Sequence, residues 1–369
     1  MKFLVLAFFI SLLIVLTLIR YQHLHEKLSN DHDLSGPQKF HTFAVPRIGG
    51  LGIFISIVIS ALVAHKLLPT AQGLLLLQIC LCALPAFSIG LIEDLTKKIG
   101  VKTRFIATTI SAGLGIYILN ALITRIDVPG LDSLMSIYVV ATVFTVLAVS
   151  GLSNAYNIID GLNGLASMVG IISLLAIGYV AFKVNDFILA SICLIVIGAI
   201  SGFFVWNYPR GLIFLGDGGA YLIGYLIATL SILLIVRNPS VSPWFALLVN
   251  GYPIFETLFT IWRRSIHQGK NPSLPDGAHF HSLIYRRVIR WAEVRNSKET
   301  LSHARNSRAS PYLWVLSTLA VFPAVIWWQS TWILQCSALL FCTFYLIAYN
   351  LVVKFKIPRI FKLPNQSIK

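Results

Sequence analysis

Eleven long apolar runs constrain the fold of this chain more than any other feature of its sequence. Each has the roughly 17–25 predominantly apolar residues that a helix needs to cross a bilayer. Only 12% of the 369 residues are charged and 57% are hydrophobic, whereas soluble proteins have about a quarter charged residues. We therefore predict an all-α, polytopic membrane protein with spans at 3–19, 48–68, 72–92, 105–123, 134–152, 163–182, 187–205, 219–236, 243–262, 311–329 and 331–352.

Lysine and arginine are distributed unevenly between the loops. The loops 20–47, 93–104, 206–218 and 263–310, with the tail 353–369, hold 24 of the 29. Because positively charged loops stay in the cytoplasm, the N-terminus is predicted outside and the C-terminus inside. The net charge of +15 follows from this bias and from attraction to membrane lipid, and no aromatic-basic pattern indicates nucleic acid.

The chain shows no composition break that would divide it into domains. We predict a single polytopic domain over 1–369, with a motif-bearing core at 36–290 and two C-terminal spans at 311–352.

Four acidic clusters lie in loops that are two spans apart, namely Glu93-Asp94, Asp160, Asp217 and the stretch 276–281. Two spans return the chain to the side that it left, so all four clusters are predicted on the cytoplasmic face. Carboxylates are costly near hydrocarbon and usually mark function there. The spacing indicates one polar site.

Glu93 and Asp94 end the third span, where the helix dipole disfavours anions. Lys97, four residues after Glu93, offers a helical ion pair. A divalent cation, or a cationic cluster that also holds a phosphate, is the other explanation. Both remain open at this point.

Asn154, Asn157 and Asp160 recur every three residues, so on helical turns they share one face. Gly161 and Gly164 follow, and their lack of a side chain leaves the backbone there accessible. In the simpler interpretation, Asp160 caps the next helix and the asparagines bond neighbouring carbonyls. A cap, however, explains one residue and not three in register. The pattern favours a polar lining of the site.

Asp217 lies in the sequence Gly216-Asp217-Gly218-Gly219 at the start of the eighth span. An N-cap role is the simple alternative. Flanking glycines, however, suit the approach of a metal-bound phosphate to backbone N–H groups at a helix N-terminus. Since Mg²⁺ is typically held by one or two carboxylates plus substrate phosphates, we predict Asp217 as its protein ligand.

Two further segments supply positive charge or hydrogen-bond donors. Lys39 and Arg47 precede Gly49-Gly50 in the sequence. The two glycines would allow a phosphate to approach the backbone or, more simply, allow close helix packing. His279 and His281, in a segment predicted to be extended, would present both rings on one side. They are weak evidence for zinc, and we interpret them as donors to a phosphate.

Together these loops, from Lys39 to Arg287, resemble the polyprenyl-phosphate N-acetylhexosamine-1-phosphate transferases. Those membrane enzymes move a sugar-1-phosphate from a UDP-sugar onto a lipid phosphate and release UMP with Mg²⁺. The resemblance implies that Asp217 binds Mg²⁺, with Mn²⁺ as a substitute. It places Glu93, Asp94 and Lys97 at the lipid-phosphate site and gives Asp160 nucleotide and catalytic contacts.

The same resemblance, together with the charge pattern, suggests a set of substrate-binding residues: Lys39, Arg47, Arg104, Asn154, Asn157, Gly161, Asn163, His279 and His281. The implied partners are a UDP-N-acetylhexosamine, undecaprenyl phosphate and membrane lipid. The implied location is the bacterial cytoplasmic (inner) membrane, with the site facing the cytoplasm. Whether the protein forms a homodimer is left open.

The chain departs from the family pattern at Glu93, Asn163 and Ser282, where relatives commonly have Asp, Asp and His. The His-x-His spacing is more similar to the branch that uses simple UDP-N-acetylhexosamines than to the muramyl-pentapeptide branch. N-acetylglucosamine is the expected sugar. Deoxy-N-acetylhexosamines such as N-acetylfucosamine or N-acetylquinovosamine, and a phospho-N-acetylmuramoyl-pentapeptide donor, remain alternatives.

Both reactants of such a transfer are anionic phosphates, so positioning and charge neutralisation dominate catalysis. A lipid phosphate has a second pKa of about 6 and is mostly a dianion at neutral pH, so it needs little help from a base. We expect direct in-line attack without a covalent enzyme intermediate. A transporter of lipid-linked sugars is the alternative class, supported by the intramembrane Glu256.

Overall fold

The computed structural model describes residues 1–29, 45–67, 71–269, 276–289 and 301–354 of the chain. Its α-helices are α1 (Lys2–Arg20), α2 (Gln22–Ser29), α3 (Gly49–Leu67), α4 (Ala71–Thr96), α5 (Val101–Leu119), α6 (Leu131–Met135), α7 (Tyr138–Ile159), α8 (Leu165–Lys183), α9 (Phe187–Asn207), α10 (Gly216–Arg237), α11 (Pro243–Val249), α12 (Gly251–Trp262), α13 (Phe280–Leu283), α14 (Leu301–Ile326) and α15 (Thr331–Val353). Two π-helical segments, Arg263–His267 and Ile284–Ile289, extend α12 and α13.

The all-α, multi-pass architecture is confirmed, with two differences from eleven straight spans. In the described part of the chain nine helices are long and apolar enough to cross a membrane, or ten if the bent pair α11–α12 is one span. Helix α5 occupies the remaining predicted span, but it starts four residues earlier than expected. Its first turn therefore includes Lys102 and Arg104, which reduce its apolar character.

The predicted span 243–262 is broken, because α11 and α12 meet at an angle of 76°. Pro253 lies four residues after Val249 and has no N–H to donate to its carbonyl. The hydroxyl of Ser173 on α8 donates to that carbonyl instead, at 3.0 Å. A neighbouring helix thus satisfies the backbone group that the break exposes, as a membrane interior requires.

Helix α10 is the centre of the bundle and packs against α3, α4, α7 and α8. Of its most apolar stretch, 94% is buried within the protein, as expected for a helix that is hydrophobic on every side. Its far end is tied down by Arg237, whose Nε donates to Asp186 Oδ2 at 2.6 Å. Asp186 also caps α9 by accepting the N–H of Leu189 at 3.1 Å.

Glycines allow α3 and α4 to touch the first turn of α10 backbone to backbone. A Cβ atom at Gly50 would overlap the Cα atom of Gly219, and one at Gly90 would lie 2.5 Å from the nitrogen of Gly218. A Cβ atom at Gly49 would lie 2.7 Å from the Phe214 carbonyl oxygen. Of the two explanations for Gly49-Gly50, close helix packing is therefore the one that the structure supports.

Candidate active site

The four acidic clusters meet at one end of the bundle, as the alternation of spans predicts. The ends of α4 and α7 and the starts of α3, α5 and α10 all lie there. Asp94 of α4 hydrogen-bonds the backbone of Asp217 on α10 at 2.8 Å. The imidazole of His281 lies against Gly161, the residue that follows Asp160.

Asp94 caps the N-terminus of α10 across the helix interface. Its two carboxylate oxygens accept the N–H groups of Asp217 and Gly218 at 2.8 and 2.9 Å, and its side chain is 1% exposed. The guanidinium group of Arg47 lies 3.8 Å from the same carboxylate. The dipole at the C-terminus of α4 disfavours the Asp94 carboxylate, whereas the dipole at the N-terminus of α10 favours it.

Asp217 holds its carboxylate between two arginines. Arg47 donates to Oδ1 at 3.1 Å, and Arg104 from α5 donates to Oδ2. Leu215 is the N-cap residue of α10, so Asp217 is not a cap and its side chain points away from the helix amides to these cations. The side chain is only 10% exposed, so solvent ions screen the two ion pairs little.

The glycines around Asp217 serve packing, which corrects the expectation that they leave room for a phosphate. Gly216 has a φ of +77°, and a Cβ atom there would overlap the Arg47 carbonyl oxygen and lie 2.5 Å from Asp94 Oδ2. A Cβ atom at Gly218 would lie 2.9 Å from the nitrogen of Leu91. Protein atoms therefore fill the space beside each glycine.

Glu93 lies in the last turn of α4, and Lys97 is the first residue after the helix. The Glu93 carboxylate accepts the N–H of Ile99 at 2.6 Å, and its carbonyl accepts the N–H of Lys97 at 2.7 Å. Lys97 has a φ of 54°, so it lies beyond the helix. The structure therefore gives Glu93 a role in closing this turn.

Asp160 directly follows the last residue of α7. Because α8 begins only at Leu165, Asp160 does not cap the next helix. Among the described residues, none donates a hydrogen bond or ion pair to its partly exposed carboxylate. Desolvation raises the pKa of Asp160 well above its usual value, Arg47 opposes the rise, and Asp217 and Asp94 add to it. This carboxylate is therefore available to a substrate.

The three asparagines of this segment have different surroundings. Asn154 and Asn157 lie partly exposed on the last turns of α7, and Asn154 Nδ2 donates to the Ser150 carbonyl at 2.8 Å. Asn163 is buried, and its N–H donates to Asn306 Oδ1 at 2.9 Å. Ser310 donates to the Asn163 carbonyl at 2.6 Å, so this asparagine joins the loop to α14.

The two histidines lie at the start of α13 and not in an extended segment. His279 is the N-cap residue and His281 lies within the helix, yet the rings stack with centroids 5.4 Å apart and planes at 7°. Both rings still face the same side, as predicted. Burial, and then the adjacent His279, lower the pKa of His281 to about 3.

Asp276 belongs to the wall of the site and not to its open surface. It accepts hydrogen bonds from Arg263 and from the N–H of Ala278, the latter at 3.0 Å, and Arg264 lies 3.7 Å away. Burial is the largest single influence and opposes ionisation, but the hydrogen bonds from Arg263 and Ala278 N–H and the charge of Arg263 together outweigh it and lower the pKa of Asp276. The basic segment that follows is tied to α15, because Arg287 donates to the Val352 carbonyl at 3.2 Å.

The donor set fits a magnesium ion only if substrate completes its coordination. Within the described ranges no group of three or more His, Cys, Asp or Glu side chains is placed to hold a metal. Mg²⁺, however, usually takes one or two protein carboxylates together with phosphate and water. A carboxylate offers about four lone-pair sites, and Arg47 and Arg104 use two of those on Asp217.

Lys39 lies outside the described residues, whereas the other predicted site residues are placed at this end of the bundle. Sequence reasoning noted Glu256 only as an intramembrane acid and did not place it beside His279, although it accepts hydrogen bonds from His279 and from Phe280 N–H. The sequence does indicate that Glu256 is unusual, because a carboxylate inside an apolar span costs free energy and usually has a function. Sequence reasoning missed Asn306, because a polar residue on a distant helix gives no local pattern.

Comparisons with known proteins agree on one family. Residues 76–235 match the family described as Glycosyl transferase family 4. The chain is 32% identical over 284 residues to the probable undecaprenyl-phosphate N-acetylglucosaminyl 1-phosphate transferase of Bacillus subtilis (strain 168), covering 76% of each chain. It is 33% identical over 93 residues to the undecaprenyl-phosphate alpha-N-acetylglucosaminyl 1-phosphate transferase of Thermotoga maritima, covering 25% of this chain and 30% of that protein.

A different name also occurs among the relatives. The phospho-N-acetylmuramoyl-pentapeptide-transferase of Clostridium botulinum (strain Alaska E43) is 29% identical over 237 residues. That alignment covers 61% of this chain and 69% of that protein.

Proposed function

Because this chain belongs to glycosyl transferase family 4, the polyprenyl-phosphate N-acetylhexosamine-1-phosphate transferases, we propose that it transfers N-acetylglucosamine-1-phosphate from a UDP-sugar to undecaprenyl phosphate. An oxygen of the lipid phosphate attacks the β-phosphorus of the nucleotide sugar. The bond from that phosphorus to the bridging oxygen breaks, and UMP leaves with the electron pair. The product is the lipid diphosphate sugar that starts a surface polysaccharide.

The observation that carries this proposal is the pairing of Asp217 with Arg47 and Arg104 at the start of a buried helix. Two phosphates repel each other, so their reaction needs fixed positive charge and exact placement more than it needs bond-making groups on the protein. Arg47 and Arg104 come from different segments but converge on one carboxylate. Guanidinium groups held in this way are suited to contact phosphate oxygens.

Asp217 would hold Mg²⁺, which when bound supplies further positive charge at the transferring phosphate. Asp94 keeps the first turn of α10 in place through its two amide bonds. Asp160, which has an open carboxylate, accepts hydrogen bonds from the nucleotide sugar. Both carboxylate oxygens of Asp94 accept hydrogen bonds from backbone amides. The lipid phosphate therefore attacks the β-phosphorus directly, and no phosphorylated aspartate forms at Asp94.

The site faces the cytoplasm in this proposal, in the bacterial inner membrane. The end of the bundle that carries Asp94 and Asp217 also carries the lysine- and arginine-rich loops, which stay inside the cell. UDP-sugars are soluble and made in the cytoplasm, while the lipid phosphate lies in the bilayer. A site at this boundary meets both substrates.

The transporter alternative loses its main support. Glu256 had favoured it as an intramembrane acid, but the carboxylate is occupied by His279, Phe280 N–H and Tyr345. Transporters place their open polar groups near the bilayer midplane. Here the open carboxylate of Asp160 lies at the end of a helix.

The test offers purified protein a panel of UDP-sugars with undecaprenyl phosphate and Mg²⁺, and scores both UMP and lipid product. The panel holds UDP-N-acetylglucosamine, two deoxy-N-acetylhexosamine donors and UDP-N-acetylmuramoyl-pentapeptide. We expect N-acetylglucosamine to be transferred. Lipid product from the pentapeptide donor alone would reassign the substrate, and no UMP from any donor would refute the transferase.

Two carboxylates that both pair with arginine give a matched control. Asp217 lies in the first turn of α10, and Asp186 binds Arg237 in the last turn of the same helix. Asp217→Asn is expected to abolish transfer, whereas Asp186→Asn retains it. Equal loss in both variants would mean that the effect is one of folding.

A further inference from the structure

Glu256 is a buried carboxylate with three hydrogen-bond donors around it. Its Oε1 atom lies 3.1 Å from His279 Nδ1 and accepts the N–H of Phe280 at 3.1 Å. Its Oε2 atom accepts the Tyr345 hydroxyl at 2.5 Å. The residue is 1% exposed and lies in α12, beyond the break of the span. Donors on both oxygens favour the ionised carboxylate.

The contact with Glu256 decides where His279 carries its proton. A carboxylate only accepts hydrogen bonds, so Nδ1 of His279 must be the donor. The Thr260 hydroxyl, 3.3 Å from the same nitrogen, does not change this assignment. Nε2 is then the nitrogen that remains for a substrate. In a neutral ring it offers a lone pair, and it donates to a phosphate only when the ring is a cation.

His281 is buried like His279 but lacks the polar contacts that His279 makes with described residues. Its ring is 1% exposed, and no described residue pairs with its Nδ1 atom. The two rings are stacked 5.4 Å apart, and two cations at that distance would repel each other. Of the pair, His279 is the one with a carboxylate in direct contact, because its Nδ1 atom lies 3.1 Å from Glu256 Oε1.

We propose that Glu256 is a positioning residue of the transferase, which acts through His279. It holds the His279 proton on Nδ1 and supplies the counter-charge that lets the protonated ring donate from Nε2 to a substrate phosphate. His281 stays neutral beside Gly161 and shapes the loop that carries Asp160. The inference rests on the proposed function, because the phosphate is that of the nucleotide sugar or the lipid.

A double-mutant cycle on the full-length protein tests whether Glu256 acts through His279. Glu256→Gln keeps the shape and removes the charge, and we expect kcat to fall about 10- to 100-fold, as for other carboxylates that orient a functional histidine. His279→Gln should fall at least as far. If the residues act as one unit, the double variant is no slower than His279→Gln. Losses that multiply would overturn the proposal.

The position of the ring proton gives a readout independent of activity. Selective ¹⁵N labelling of histidine, with His279→Gln to assign the signal, reports which nitrogen is protonated. At a pH where the ring is neutral, we expect the proton on Nδ1 in the wild-type protein and a larger Nε2–H population in Glu256→Gln. An unchanged tautomer in the folded variant would refute the inference, even if transfer itself were never observed.

Tyr345→Phe covers the case in which Glu256→Gln does not fold. It removes the donor on Oε2 and leaves the contact of Oε1 with His279, so the ring proton should stay on Nδ1 while kcat falls only a few-fold. A shifted proton in Tyr345→Phe would contradict the assignment. Wild-type protein that releases no UMP from any UDP-sugar would refute the proposed function, and the ¹⁵N result would still decide the role of Glu256.

Discussion

Asp94 and Asp217 are joined through the backbone, because the carboxylate of Asp94 accepts the N–H of Asp217 at 2.8 Å and that of Gly218 at 2.9 Å. The two acids therefore have different tasks although both are buried. Asp217 faces Arg47 and Arg104, and Asp94 holds the turn that orients it.

Asp94→Asn should lower both stability and activity. An amide side chain has one acceptor oxygen, so one of the two backbone N–H groups loses its charged partner, at a cost of about 1.5–3 kcal/mol. Thermal unfolding in detergent and the UMP assay measure the two effects. Full thermal stability with abolished transfer would mean that Asp94 contacts the substrate and does not act through α10.

Gly161→Ala should disable the enzyme with little change in stability. A Cβ atom there would overlap His281 Nε2 and lie 2.8 Å from its Cδ2, so the His281 ring and the loop that carries Asp160 must shift relative to each other. A displacement of this kind costs about 10²-fold in kcat/KM. The control is Gly151→Ala on α7, where nothing lies within 4 Å. It should keep wild-type kinetics, and equal loss in both variants would contradict the contact.

Asp160→Asn should be more thermostable than the wild type at pH 8 and inactive. Desolvation raises the pKa of Asp160, so the folded protein loses stability relative to the unfolded chain as pH rises from about 4 through the raised pKa. Asparagine does not titrate and avoids this loss. The difference in melting temperature should shrink toward pH 4. A variant that is less stable at pH 8 would show that the carboxylate is stabilised by partners.

Asp276→Asn should destabilise the wall of the site at neutral pH. It leaves Arg263 and Arg264, both buried, without their carboxylate, and breaking a buried pair costs about 3–5 kcal/mol. The ion pair with Arg263 lowers the pKa of Asp276, so its contribution is present above pH of about 4 and is lost as pH falls through the lowered pKa. Melting curves of variant and wild type should therefore approach each other on acidification.

The location of the distant acidic loops at one end of the bundle was predictable from the sequence, because it depends only on the parity of the spans. Glu93-Asp94 and Asp217 are separated by an even number of crossings, and no knowledge of packing is needed to place them on the same face. The role of Asp94 was not predictable. It depends on which helix start lies beside α4, and that is decided by glycine contacts such as Gly90 with Gly218.

The broken span shows the other limit of sequence reasoning. An apolar run at 243–262 has the length of one crossing, and Pro253 alone does not reveal a bend of 76°. The bend is stable because Ser173, on another helix, supplies the missing hydrogen bond. Glu256 was visible as an unusual acid, but its partner His279 could be identified only once that bend was known.

The crowding around the first turn of α10 has a consequence for inhibitors. Side chains at Gly216, Gly218 or Gly219 would collide with the backbone of Arg47, Leu91 or Gly50. A compound that binds the Asp217 carboxylate would therefore lie beside residues that the protein cannot readily exchange. Selection for resistance should return changes in surrounding loops, and sequencing of resistant isolates would show whether this turn is spared.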